Sequence, residues 1–286
     1  MRDLGHLLEG HEFKSIEEAN AFLQQVVASG GPTPATDLTP LERAQDLMYE
    51  AWEATGKRRV KLARQALQIS EDCADAYVLL AEEAAGSLHE AQALYEQGIK
   101  AGERALGPEM FEEDVGHFWG VLETRPYMRA RTGLAQCLWL LGKNEEAIAH
   151  YQDMLRLNLN DNQGIRYILA NCLLEDGRDE ELGALLQQYK DDAAATWAYS
   201  RALWWFRDEG TGDSANRALQ EALRTNPYVP AYLLGHKSLP RQLPPYVGLG
   251  DESEAVEYAA HALGVWHMTE GALAWLASHV KEQPGS

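Results

Sequence analysis

The sequence predicts an all-α protein, a superhelical solenoid of stacked antiparallel helical hairpins. Two observations carry that prediction. Arg131, Leu134, Ala135, Cys137, Leu138 and Gly142 recur as Arg166, Leu169, Ala170, Cys172, Leu173 and Gly177, an offset of 35 residues that also carries Glu146 onto Glu181. Between such repeats the apolar residues fall at helical spacing and stop at glycines, and self-similarity at this period marks hairpins that bury their faces only by stacking.

Each element of the central unit follows from its residues. Leu134, Ala135 and Leu138 form one apolar stripe, the signature of a helix with one buried face. Ala135 is small where two helices must come close. Gly142 ends the first helix, because glycine enters left-handed φ without steric cost. Asn144, Glu145 and Glu146 open the second helix, and Ala147, Ile148, Tyr151, Met154 and Leu155 face inward. Turn-forming residues around Asn158–Asp161 close the unit. The next unit repeats the plan with Leu182, Leu186 and Tyr189. This alternation of small and large positions resembles tetratricopeptide (TPR) repeats, and the resemblance implies a concave groove that receives a partner.

Composition narrows the function. The net charge is −19 with a pI near 4.8, which argues against binding the nucleic-acid backbone, where clustered cations are needed. Hydrophobic residues make up 45% and mean hydropathy is −0.38. No run approaches the ~20 apolar residues that span a bilayer, and residues 1–10 lack a signal-peptide layout, so a cytoplasmic protein without a membrane role is expected. Cys73, Cys137 and Cys172 are too few and too scattered for a disulfide framework or a zinc site, and read as small buried residues.

In chain order, residues 1–28 form an N-terminal helical segment, with Ser15 and Glu18 spaced as a capping box. Residues 29–40 read as a flexible linker rich in Gly, Pro and Thr. The solenoid is expected over 41–286. Two degenerate units precede the central pair: one has Leu47, Met48, Ala51 and Trp52 on one helix face and Val60, Ala63 and Leu67 on the next, and the other has its first helix marked by Asp75, Tyr77 and Ala81 and its second by Ala91 and Tyr95. An insert at about 100–127, rich in aromatic and acidic residues, interrupts the period; it is either a packing element or an elaborated binding surface. A further unit opens near Ala195, where Trp197, Trp204 and Trp205 read chiefly as packing residues and Trp197 or Ala198 competes for the same repeat position. Residues 227–250 are a Pro- and Gly-rich connection. Asp251 and Glu254 form a second capping box, and residues 251–280 cap the stack.

The stretches around Lys237–Leu239, Gly250–Tyr258, Trp266 and Glu270–Leu273, with Phe118–Trp119, Arg125–Arg129 and Asn160–Tyr167, resemble the suppressor-of-tumorigenicity-7 family and bacterial TPR proteins of that type. The resemblance spans roughly residues 75–276. It implies a helical-repeat fold and an interaction role, and brings no catalytic residues. Eukaryotic members add membrane segments of which none is visible in this sequence.

No metalloprotease, nucleophile-elbow or phosphate-loop motif is present, so no enzyme, cofactor or metal is expected. The candidate binding residues are Arg125, Arg129, Arg131, Arg166, Tyr167, Asn171 and Arg201. Arg131, Arg166 and Arg201 share the 35-residue spacing; stacked in a groove, they would clamp an acidic group or a C-terminal carboxylate of a protein or peptide partner. The competing reading pairs the arginines with the abundant Asp and Glu between repeats. Asn171 matches the asparagine with which TPR clamps hold a ligand, whereas the preceding unit has Gln136. The expected function is a non-catalytic protein- or peptide-binding scaffold. The alternatives are a self-associating homo-oligomer and a small-ligand sensor or enzyme at 107–127 built on His117 and Glu123.

Overall fold

A computed structural model describes residues 15–28 and 38–280. Among the described residues it contains fourteen α-helices, a short 3-10 turn at Phe118–Gly120 and no strand. Five hairpins follow a short preceding helix, α1 (Ile16–Ala28). They are α2 (Pro40–Glu53) with α3 (Lys57–Ile69), α4 (Ala74–Glu83) with α5 (Leu88–Glu113), α6 (Arg125–Leu140) with α7 (Asn144–Leu157), α8 (Ile165–Asp176) with α9 (Asp179–Gln188), and α10 (Ala195–Glu209) with α11 (Asp213–Thr225). Among the described residues three more helices follow: α12 (Val229–Leu233), α13 (Glu252–Met268) and α14 (Ala272–His279). Each second helix also packs on the first helix of the next hairpin, as α3 does on α4, α5 on α6, α7 on α8 and α9 on α10.

At the N-terminal end, the Ser15 hydroxyl accepts the Glu18 amide at 3.2 Å. Residues 1–14, and 29–37 of the expected linker, lie outside the described residues. The solenoid begins earlier than Leu41. Thr39 caps α2 in a reciprocal capping box with Glu42, and Pro40 takes the first turn, where its missing N–H costs nothing.

Repeat length changes along the stack. Gly142, Gly177 and Gly210 end the first helices with φ of 74°, 71° and 66°. Five residues after each comes a buried apolar residue, namely Ala147, Leu182 and Ala215. Eleven residues before them stand Arg131, Arg166 and Tyr199. The offset of 35 therefore falls to 33 in the last hairpin. The position equivalent to Arg131 and Arg166 is the buried Tyr199, whose hydroxyl donates to the Asn226 carbonyl at 2.7 Å. Arg201 lies two residues out of register, so the expected three-arginine row stops at two.

Close approach between α5 and α6 depends on absent side chains. A Cβ at Gly133 would sit 2.1 Å from the Tyr95 ring, and one at Gly102 would sit 2.8 Å from the Tyr127 Cβ. Much of the expected insert is helix: α5 runs to Glu113 through a kink at Gly107 and Pro108. Only 114–124 depart from the hairpin plan. There Gly116 exchanges backbone bonds with Leu157 and Leu159 at 2.9 and 3.0 Å. Phe118 is fully buried, its ring 5.2 Å from that of Phe111. The segment is packed over the end of α7.

The C-terminal helices do more than close the open end. α13 lies against α8 and α10, the first helices of two successive hairpins. Its Tyr258 ring is 5.5 Å from Tyr199, its Trp266 donates to the Tyr258 hydroxyl at 2.8 Å, and Trp275 of α14 stacks on Phe206 at 4.6 Å. The expected capping box at the start of α13 forms only in half. Asp251 Oδ1 accepts the Ser253 and Glu254 amides at 2.7 and 3.2 Å. The Glu254 carboxylate turns away to Ala195, Asn226 and Gly250. Ala195 and Asn226 lie in other elements, which a local motif does not reveal.

Candidate functional site

Arg125 and Arg129 sit in the first turns of α6, Arg125 against the 114–124 segment and Arg129 against the preceding hairpins. Arg125 Nε donates to the Trp119 carbonyl at 3.0 Å with its guanidinium 5.4 Å from that indole. Arg129 grips Asp75 with two bonds of 2.8 and 2.6 Å. Asp75 is 1% exposed and also accepts from Gln45 at 2.7 Å. Arg129 therefore ties three hairpins together, since Gln45 lies on α2 and Asp75 on α4. A buried carboxylate is held in place by such bidentate pairing. The Arg129 guanidinium also lies 5.1 Å from the Trp52 ring.

Arg131 is buried between the two helices of its own hairpin. It pairs with Asp153 and contacts the Tyr127 hydroxyl at 3.3 Å and His150 Nδ1 at 3.1 Å. A guanidinium only donates, so His150 Nδ1 is the acceptor and its ring is neutral. Burial, reinforced by the Arg131 charge, holds the His150 pKa below its usual value, against the opposing pull of Asp153 and Glu146. Burial works to raise the Asp153 pKa, but hydrogen bonds and charge from Arg131 and Arg156 outweigh it, and the net shift is downward.

Arg166 joins the loops flanking its hairpin. It contacts Asp161 at 2.9 Å and Asp192 at 2.7 Å, with its guanidinium 4.4 Å from the Tyr167 ring. The Tyr167 hydroxyl donates to Asp192 at 2.8 Å. Asp161 also accepts the Ile165 and Arg166 amides at 2.7 and 3.0 Å, so it serves the N-terminus of α8, where orphan N–H groups welcome an anion. Burial nevertheless raises its pKa above the usual value, against those bonds and the Arg166 charge. Three of the arginines singled out in the sequence, Arg129, Arg131 and Arg166, are thus engaged with carboxylates that join helices and hairpins.

Asn171 differs. It lies on α8 on the same face as Glu175, which takes a hydrogen bond from Trp139 of α6 and feels the charge of His261 on α13. The Asn171 side-chain oxygen is shielded from solvent and has no hydrogen-bond partner. Gln163, whose amide nitrogen donates to Thr132 of α6 at 3.2 Å, also leaves its oxygen unpartnered. On α6, Gln136 and Leu140 are exposed, Leu140 by 68%. Arg201 lies apart from the others. It donates to the Lys190 carbonyl at 3.1 Å, stands 3.8 Å from Glu221, and lines a cleft between α10 and α11. Sequence reasoning did not single out Trp205, Arg217 and Arg224 as members of that cleft; the spacing of Arg217 and Arg224, two helical turns apart, is the signal that could have found them.

His117 and Glu123 are both exposed on the 114–124 segment, and no enclosed acid–base pair forms there. The three cysteines are free and buried. Burial pushes the thiols of Cys73 and Cys172 up to about 12, which leaves them protonated and unreactive.

Among the described residues no helix is long and apolar enough to cross a membrane. The chain matches the family model of the ST7 protein over residues 35–283. It is 32% identical over 263 residues to the suppressor of tumorigenicity 7 protein-like of Bos taurus, covering 82% of this chain and 46% of that protein. The human counterpart is also 32% identical, with 82% and 44% covered. The suppressor of tumorigenicity 7 protein of Macaca fascicularis is 30% identical over 291 residues, with 83% and 53% covered. The chain spans about half the length of the curated relatives it matches. Among solved structures it is similar to YrrB, described as a TPR protein with an unusual peptide-binding site, at a TM-score of 0.45 and 19% identity, covering 71% of this chain and 91% of that one. With its repeated hairpins and a family match across most of its length, this chain belongs to the ST7 family, and its fold is an all-α, TPR-like solenoid.

Proposed function

We propose that the chain is a non-catalytic, cytoplasmic scaffold that holds a protein or peptide segment along the shared face of α6 and α8. The observation that carries this reading is the Asn171 amide oxygen, shielded and without a partner. A shielded acceptor left unpaired is costly, and a peptide N–H would satisfy it. Tyr167 stands one helical turn before it on α8, and Gln136 is the exposed residue at the equivalent repeat position of α6, while Arg129 stays engaged with Asp75. Arg131 and Arg166 act as positioning residues that keep the helices in register. The net charge of −19 disfavours nucleic acid as the partner.

The test is affinity capture from the native cytoplasm with wild type and an Asn171→Ala/Gln136→Ala variant, both first shown to be folded by circular dichroism. A partner retained by wild type and lost by the variant supports the α6–α8 face. Equal retention by both overturns it.

A further inference from the structure

We propose that the cleft between α10 and α11 is a separate docking site for an extended acidic peptide segment. The cleft has a volume of about 390 Å³ and is lined by Arg201 and Trp205 from α10 and by Ala218, Arg217, Glu221 and Arg224 from α11. That volume lies within the range of natural ligand pockets, ~300–1,000 Å³. None of its lining comes from α13, which covers α10 through Tyr199 and Tyr258. The site is thus distinct from the α6–α8 face and does not rest on that proposal.

Charge selects the occupant. The chain as a whole carries −19, yet this cleft gathers three guanidiniums against one carboxylate. Among the described residues, only Arg201 of the three pairs with that carboxylate, Glu221, at 3.8 Å. Arg217 and Arg224 are exposed and have no carboxylate within ion-pair distance among the described residues. They stand two turns apart on one helix, about 10 Å along the axis, and match acidic side chains spaced along an extended strand rather than one compact anion. Between the rows, Ala218 and the half-buried Trp205 indole give an apolar floor. Guanidinium groups bind carboxylates by paired, charge-assisted bonds, and an indole face accepts the methylene stems between them.

The experiment is fluorescence anisotropy of a labelled hexaglutamate peptide with the full chain, alongside a hexalysine peptide and unlabelled inorganic phosphate as competitor. Hexaglutamate is expected to bind and hexalysine not. Binding should weaken as salt rises, fall at least tenfold in Arg217→Ala/Arg224→Ala, and tighten in Glu221→Gln. These substitutions are on an exposed helix face, and circular dichroism checks that the fold is kept. Unchanged binding in the double variant overturns the proposal, as does equal binding of hexalysine. Displacement by phosphate at the same concentration of charge as an unlabelled hexaglutamate competitor also overturns it, because the cleft would then be a site for free anions.

Discussion

The carboxylate of Glu254 accepts the backbone N–H of Ala195 at 2.8 Å across 59 residues of chain. Ala195 opens α10, and the residue before it, Ala194, has no side chain able to cap a helix. A residue of α13 thereby does for α10 what a local Ser, Asp or Asn does elsewhere. The other carboxylate oxygen accepts from Asn226 Nδ2 at 2.9 Å and from the Gly250 amide at 2.8 Å. Glu254→Ala would leave three donors without their acceptor in a site that is 4% exposed. A loss of about 2–4 kcal/mol is expected, read as a lower denaturation midpoint in urea. Glu254→Gln keeps one acceptor oxygen and should lose less.

Gly133 is where backbone proximity leaves no room. Its absent Cβ would overlap the Tyr95 ring, so Gly133→Ala should cost about 1–3 kcal/mol through overpacking. Exchanging Tyr95 for leucine in the same chain frees that space, and the double variant is expected to regain part of the loss. Additive losses in a double-mutant cycle would contradict this account.

Acidification should weaken the fold in two steps at one place. The folded-state pKa of His150 lies below its ordinary 6.5, so the native state favours the neutral ring. Its stabilising contribution is whole above 6.5 and is lost as pH falls below it. Asp153 is also held below its ordinary 3.8, and its contribution disappears only as pH falls through that lower range. Thermal melts from pH 8 to about pH 2 are expected to decline first below about 6.5 and again below about 3.8. In His150→Asn, which keeps an acceptor toward Arg131, that first decline should flatten. An unaltered profile would remove His150 from the explanation.

Arg166 and Asn171, five residues apart on one helix, should respond differently. Arg166→Ala strands Asp161 and Asp192, whose side chains are 1% and 7% exposed, and should lower stability by about 2–4 kcal/mol. Asn171→Ala removes an oxygen that has no partner and is expected to change the melting temperature little while weakening the partner on the α6–α8 face. Calorimetry on the two variants beside the capture assay separates the roles.

What the sequence made legible follows from range. The 35-residue offset, the stop at Gly142 and Gly177, and the inward set from Ala147 to Leu155 are local patterns, and each corresponds to an observed element. The change of offset to 33 was hidden because Arg201 continues the older spacing by coincidence of residue type. The glycine at 210 keeps the true register. Thr39 and Glu42 form a capping box of the ordinary spacing, obscured by the Pro- and Thr-rich run before it. For the site, the choice of candidate arginines was readable, but not their counterparts. Asp75 is 54 residues from Arg129, and no spacing rule names it.

The placement of α13 bears on how the chain unfolds. In a simple repeat array each unit answers only to its neighbours, so the end can fray while the middle stays intact. Here α13 spans α8 and α10 together, while Glu254 fastens it to the start of α10 and to the end of α11. The last two hairpins and the terminal helices are therefore expected to open as one cooperative block. Hydrogen exchange should show α8, α10 and α13 opening with a single free energy.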